Sequence, residues 1–210
     1  MDCRNLGPMV GVPFMAYNPK DHYFKKAKEQ NFAARSVFKL AEINQKYKIL
    51  KTGQRILDLG CAPGSWSQFA SQKIGPTGRI LGVDLSAVSV KLPNATFVQA
   101  DLRNLSLEQI FLEQGFEASF DLVMSDMAPK TTGIKMADQA RSTELCVLAL
   151  DVARRFLRPG GSFVCKLFHS DDFKTLRDEI KKQYGSCEAM KPDSTRQISK
   201  EIFLIGLRKK

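Results

Sequence analysis

From about Gln54 onward, short apolar runs rich in β-formers alternate with segments of helical period, and this alternation restricts the fold more than any other feature. Candidate strands are Arg55–Leu59 (RILDL), Arg79–Leu85 (RILGVDL), Ala95–Ala100, Phe120–Ser125 (FDLVMS), Ser162–Phe168 and Glu201–Leu207 (EIFLIGL). Four of them are almost continuously apolar, as strands buried on both faces of a parallel sheet must be. Between them, Trp66, Phe69, Ala70 and Ile74 share one helical face. So do Leu145, Leu148, Ala149, Val152 and Phe156, and again Phe173, Leu176, Ile180 and Tyr184. Gly75-Pro76-Thr77-Gly78 and Arg158-Pro159-Gly160-Gly161 punctuate helix-to-strand turns. The pattern predicts a doubly wound α/β domain.

Ahead of the sheet, Val37, Leu40, Ile43 and Tyr47 mark a helix from whose flank Lys39 projects. Residues 1–19 read as an irregular segment. Residues 20–210 read as one domain, with a basic helical part (20–53) and an α/β core (54–210). The 210 residues carry a formal net charge of +10. Ten Lys/Arg against three acids between Lys20 and Arg55 give a net +7 there. A concentrated basic patch points to a polyanion, with nucleic acid ahead of a membrane surface. Five cysteines form no C-x-x-C pair and only two histidines are present, so no metal centre is expected. Cys61, Cys146 and Cys165 fall in apolar runs and read as small hydrophobes, in keeping with a reducing cytosol. No apolar run has the length of a membrane span, and the Gly/Pro-broken opening does not read as a signal peptide.

The chemistry is read at the strand ends. The first strand runs into Asp58-Leu59-Gly60-Cys61-Ala62-Pro63-Gly64-Ser65-Trp66, a strand-to-helix turn without the G-x-G-x-x-G dinucleotide spacing. Gly60 and Gly64 allow close approach of a ligand, and Pro63 is placed to start the next helix. Asp84 ends the second strand, where an acid takes ribose hydroxyls, and Asp101 follows the third. Such a crevice suits an adenosine with a cationic, phosphate-free tail, which describes S-adenosylmethionine. The cofactor set is then Asp58, Gly60, Gly64, Trp66, Asp84, Asp101 and Asp126, with Trp66 also readable as core.

Lys166 is the anomaly, an ammonium inside the apolar strand "GGSFVCKLF". Taken alone it reads equally as an ion-paired structural lysine. Yet Asp126 ends the fourth strand, Glu201 begins the last, and Lys39 comes from the N-terminal helix. With "ARSVFKL", "DLGCAPGSWSQ", "GVDL", "DLVMSDMAP", "FVCKLF" and "KPDSTRQISKEIFLIG" in this order, nearly the whole chain resembles the FtsJ/RrmJ (RlmE) family of ribose 2′-O-methyltransferases. The resemblance implies a Rossmann-like, mostly parallel seven-stranded sheet with an antiparallel last strand. It also implies a catalytic tetrad of Lys39, Asp126, Lys166 and Glu201.

The implied reaction is S-adenosylmethionine-dependent methylation of a ribose, a uridine, in large-subunit ribosomal RNA within an assembled particle, late in ribosome assembly. The expected protein is a cytoplasmic monomer, with a mitochondrial relative left open. Transfer RNA or an mRNA cap is the alternative substrate. A small-molecule acceptor fits the basic patch less well, and a non-catalytic RNA-binding assembly factor fits the complete tetrad less well. Burial and a neighbouring ammonium disfavour the charged form of Lys166, whereas Asp126 and Glu201 favour it. The connection from Met127 to Asp138, with Lys130 and Lys135, is expected to cover the acceptor nucleotide.

Overall fold

The computed structural model describes residues 22–104, 106–196 and 198–210. The expected irregular segment 1–19, and Lys20 and Asp21 of the basic stretch, lie outside the described residues. Helices α1 (His22–Glu29) and α2 (Val37–Tyr47) precede the sheet. The strands are β1 (Arg55–Leu59), β2 (Arg79–Asp84), β3 (Ala95–Gln99), β4 (Phe120–Ser125), β5 (Leu157–Phe168), β6 (Tyr184–Met190) and β7 (Glu201–Lys209). Helices α3 (Ser65–Ile74), α4 (Leu107–Glu113), α5 (Lys135–Phe156) and α6 (Phe173–Gln183) connect them.

The sheet order is β3-β2-β1-β4-β5-β7-β6. All pairs are parallel except those of β7, which runs antiparallel to both β5 and β6. The last strand is therefore antiparallel, as the resemblance implied. The chain leaves β1 toward β2 on one side and returns to β4 on the other. The strand order reverses between β1 and β4, where open α/β sheets bind ligands beyond the carboxyl ends of their strands.

Side-chain alternation sorts the core into two layers. Leu57 and Leu59 of β1, and Phe163, Cys165 and Leu167 of β5, pack with α4, α5 and α6. Ile56, Met124, Val164, Phe203 and Ile205 pack on the other face with Leu40 and Ile43 of α2 and Trp66 and Ile74 of α3. Each fully buried Leu, Ile or Phe contributes about 1.5–3 kcal/mol of transfer free energy. The same alternation places Lys166 on the face of Val164, toward α2. The position of Lys39 on that helix then becomes intelligible.

Several boundaries differ from the sequence reading. Strand β5 begins at Leu157 rather than Ser162, because Leu157 pairs with Phe120 before Arg158–Gly161 bulges out and pairing resumes at Leu122–Ser162. Tyr184 does not continue the face of α6. It opens β6, an edge strand of mostly small and polar residues, and its ring stacks on Phe163 at 6.2 Å. Helix α5 starts at Lys135, so the segment after β4 ends at Ile134 rather than Asp138. The Asp138 carboxylate accepts from Thr132 N, Thr132 Oγ1 and Gly133 N, which folds the end of that segment onto the helix. Pro63 does not open α3. It sits in the turn after a cis Ala62–Pro63 bond, and Gly64, at φ 110°, holds the non-helical conformation before Ser65.

Candidate active site

Two ion pairs meet at the carboxyl ends of β4 and β5. Lys166 Nζ donates to Asp126 Oδ1 at 2.8 Å and to the Asp126 carbonyl at 2.5 Å. Its side chain is only 6% exposed, so these acceptors compensate a charge held away from water. Lys39 Nζ donates to Glu201 Oε2 at 2.5 Å. Sheet register ties the pairs together, since Lys166 lies opposite Phe203 and Phe168 opposite Glu201. Phe203 lies beneath the site, with Lys39 Nζ 5.8 Å from its ring centre and Trp66 5.7 Å away on the α3 side. Burial pushes the Glu201 carboxyl up. The charge and hydrogen bond of Lys39, and then the charge of Lys166, outweigh that and hold it below the ordinary range. The four residues expected as a tetrad are thus one electrostatic cluster.

Helix α2 locks this cluster to its surroundings. Trp66 Nε1 donates to the Ser36 carbonyl, and Ser36 and Ser65 hydroxyls lie 2.8 Å apart, fixing α2 on α3. On its far side, the Glu42 carboxylate accepts from Asp193 N at 2.6 Å and Ser194 N at 3.0 Å. Arg35 Nη2 donates to the Ser194 carbonyl. One helix therefore supplies Lys39 and anchors the turn that leads into Glu201.

Beside the cluster opens a cleft of about 680 Å³, lined by Gly60, Asp84, Asp101 and Asp126 among others. Asp84 accepts from Ala62 N and Ser86 N, one to each oxygen, and so braces the turns after β1 and β2. Each of its oxygens retains a lone pair for a hydroxyl. Asp101 is held by Arg103 through its backbone N, Nε and Nη2. The side-chain hydrogen bonds of Arg103, foremost, lower the Asp101 carboxyl to about 2. Gly60, at φ 75°, passes so close to Met127 that a Cβ there would lie 2.5 Å from Met127 Cγ.

The other expected cofactor residues stand behind this wall. Gly64 and Trp66 do not line the cleft, and Trp66, 2% exposed, is part of the core under α2. Asp58 lies within β1, fully buried, accepting from Ser67 Oγ at 2.6 Å. Sequence reasoning missed the Arg103 clasp, for which the D-x-R spacing was the available signal. It also took Leu145 and Leu148 as core, whereas both line the cleft with Arg141 and Glu144 from the exposed flank of α5.

S-adenosylmethionine fits this donor set. Half-buried carboxylates at the strand ends offer acceptors for hydroxyls and an amine, while the cations Lys130, Arg103 and Arg141 are exposed. Among the described residues no group of His, Cys, Asp and Glu is arranged to hold a metal ion, and no helix is long and apolar enough to cross a membrane.

A model of the FtsJ-like methyltransferase family matches residues 32–209. Ribosomal RNA large subunit methyltransferase E of Bdellovibrio bacteriovorus is 71% identical over 196 residues, covering 93% of this chain and 100% of that protein. Its namesake from Syntrophobacter fumaroxidans is 48% identical over 92% of this chain and 98% of its own length. Among solved structures, a putative ribosomal RNA methyltransferase from Plasmodium falciparum superposes with a TM-score of 0.74 at 26% identity, covering 85% of this chain and 98% of that one. Aeropyrum pernix fibrillarin, solved with S-adenosyl-L-methionine, gives 0.58 at 21% identity over 82% of this chain and 76% of its own, a likeness of fold alone. With the family model spanning both ion pairs and the cleft, this chain belongs to the FtsJ-like methyltransferases.

Proposed function

We propose that this methyltransferase modifies a ribose 2′-hydroxyl, that of a uridine, in large-subunit ribosomal RNA, acting late in assembly of the particle. The observation that carries the reading is the paired arrangement Lys39–Glu201 and Lys166–Asp126 beside an acid-floored cleft. The names of the relatives at 71% and 48% identity support the substrate. The protein is read as one cytoplasmic methyltransferase unit from residue 20 onward, working as a monomer.

In this reading Asp84 and Asp101 take the hydroxyls and base of the adenosine, with Gly60 admitting it. Asp126 takes the amine end, and Asp58, Gly64 and Trp66 shape the turn from behind. S-adenosylmethionine supplies an electrophilic methyl group on a sulfonium. The residues of the chain do the positioning, which is where most of the barrier reduction for such a transfer lies. Two of the three Nζ–H directions of Lys166 are engaged by Asp126, and the remaining one addresses the acceptor oxygen. There it orients a lone pair and steadies negative charge as the hydroxyl proton passes to solvent water. Lys39, fixed by Glu201, adds a second positive charge to the same place.

The test offers purified protein four substrates: unmodified large subunits, deproteinised ribosomal RNA, transfer RNA and capped mRNA. Preferential methylation of the large subunits is expected. Preference for either of the last two would overturn the substrate.

A further inference from the structure

Glu201 also forms part of a second cleft, of about 460 Å³, on the side of the ion pairs formed by the end of β5 and the segment entering β7. Its size falls within the ~300–1,000 Å³ typical of small-molecule pockets. Three exposed lysines, Lys135, Lys191 and Lys200, line it. Among the described residues none of them is in an ion pair, and the one carboxylate lining the cleft, Glu201, is committed to Lys39. Asp171 and Asp172 follow His169 closely in sequence but do not line the cleft. The field inside it is therefore positive.

His169 adds a flat surface. Its backbone is pinned on both sides, N donating to the Lys200 carbonyl at 2.9 Å and O accepting from Gln139 Nε2 at 2.5 Å. Its ring is exposed and lies parallel to that of Phe173, 5.2 Å away with 9° between planes. Ile198, which also lines the cleft, is 83% exposed, an unusual degree for a large apolar side chain beside a polar cleft. A cationic rim, a backed aromatic face and an apolar wedge are the three things that hold an unstacked nucleotide of single-stranded RNA.

We propose that this cleft is the subsite for the acceptor nucleotide, with His169 stacking on its base, Ile198 keeping its neighbour in the strand from restacking, and Lys135, Lys191 and Lys200 holding the adjoining phosphates. The proposal rests on the ribose-methylation reading and adds which residues seat the nucleotide. His169 is a positioning residue, and it touches the base rather than the reacting atoms.

The experiment uses the full chain and its His169→Ala, His169→Phe and Lys135→Ala/Lys200→Ala variants. A short fluorescent single-stranded oligoribonucleotide measures binding by anisotropy, methyl transfer to unmodified large ribosomal subunits gives KM and kcat, and calorimetry gives S-adenosylmethionine affinity. His169→Ala is expected to weaken oligonucleotide binding on the order of tenfold and to raise the KM for RNA with kcat nearly kept. His169→Phe is expected to restore both, and the double lysine variant to flatten the salt dependence of binding. Cofactor affinity should stay constant throughout. Wild-type binding by His169→Ala, no rescue by His169→Phe, displacement of the oligonucleotide by an acidic peptide, or failure of the unaltered protein to bind it would each overturn the subsite. Should the unaltered protein bind oligonucleotide through His169 yet leave the large subunits unmethylated, the substrate reading falls and the subsite stands. Should it methylate ribosomal RNA with a KM indifferent to His169, the subsite alone falls.

Discussion

Asp58 shows how one residue links the turn of the cofactor cleft to folding. Its Oδ2 accepts from Ser67, while Oδ1 accepts no hydrogen bond from the described residues. Full burial, with the charges of Asp126 and Asp84 adding to it against the Ser67 hydrogen bond, raises the carboxyl from 3.8 to about 7. That shift corresponds to about 4 kcal/mol against the charged form. The sign follows from proton binding. The native state binds the Asp58 proton more tightly than the unfolded chain does, so this contribution is fully present below pH 4 and is lost as pH rises toward 7. The amide in Asp58→Asn still accepts from Ser67 and carries no charge. Its stability advantage over the unaltered protein, measured by cofactor-free denaturation, is therefore expected to grow between about pH 4 and 7 and then level off. An advantage independent of pH would show that burial does not raise the Asp58 carboxyl above its unfolded value. The sequence announced Asp58 only as part of a motif. Its burial depends on which way the β1 side chain turns, and that is fixed by the helices covering it.

Among the elements, α2 does the most to assemble the site, because it connects α3, the ion pairs and the turn before β7. Glu42 is the test of that role. It accepts two backbone N–H donors across 151 and 152 residues of sequence and touches no expected cofactor residue. Hydrogen bonds to a carboxylate contribute roughly 1.5–3 kcal/mol. Glu42→Ala should therefore loosen residues 191–200, seen as faster amide exchange there, and lower kcat while cofactor affinity is kept. Unchanged exchange in that segment would remove α2 as its anchor. The pattern of elements was largely legible in sequence wherever strands were apolar on both faces, as β1, β2, β4 and β5 are. It was not legible for β6, whose edge position requires few apolar residues, nor for the bulged start of β5, where Pro159 and two glycines read as a turn. The grouping of Lys39, Asp126, Lys166 and Glu201 was legible through the family resemblance, because each lies in one of the motifs that carry it. The Arg103 clasp and the cleft-facing side of α5 were not, since an amphipathic helix does not reveal whether its half-buried flank faces core or ligand.

At the scale of the molecule, the charge asymmetry and the site belong together. Helix α1 carries Lys25 and Lys28 on its exposed side and packs through Ala27 against Val37 and Phe38 of α2, the helix that bears Lys39. Phosphates bound there would lead an RNA strand toward the ion pairs. Reversing Lys25 and Lys28 to glutamate should weaken RNA binding at low salt and lower the slope of affinity against salt, without touching cofactor affinity. An unchanged slope would put the RNA on another face. In the proposed reaction Lys166, braced by Asp126, brings a ribose 2′-oxygen to the methyl donor. That role is tested most directly by single-turnover transfer to unmodified large ribosomal subunits, with the modified atom mapped, for the unaltered protein and for Lys166→Ala. A 2′-O-methyl ribose is expected with the first and, with the second, a loss of at least about a hundredfold in rate at undiminished cofactor affinity. Methylation of a base, or near-normal transfer by Lys166→Ala, would contradict it.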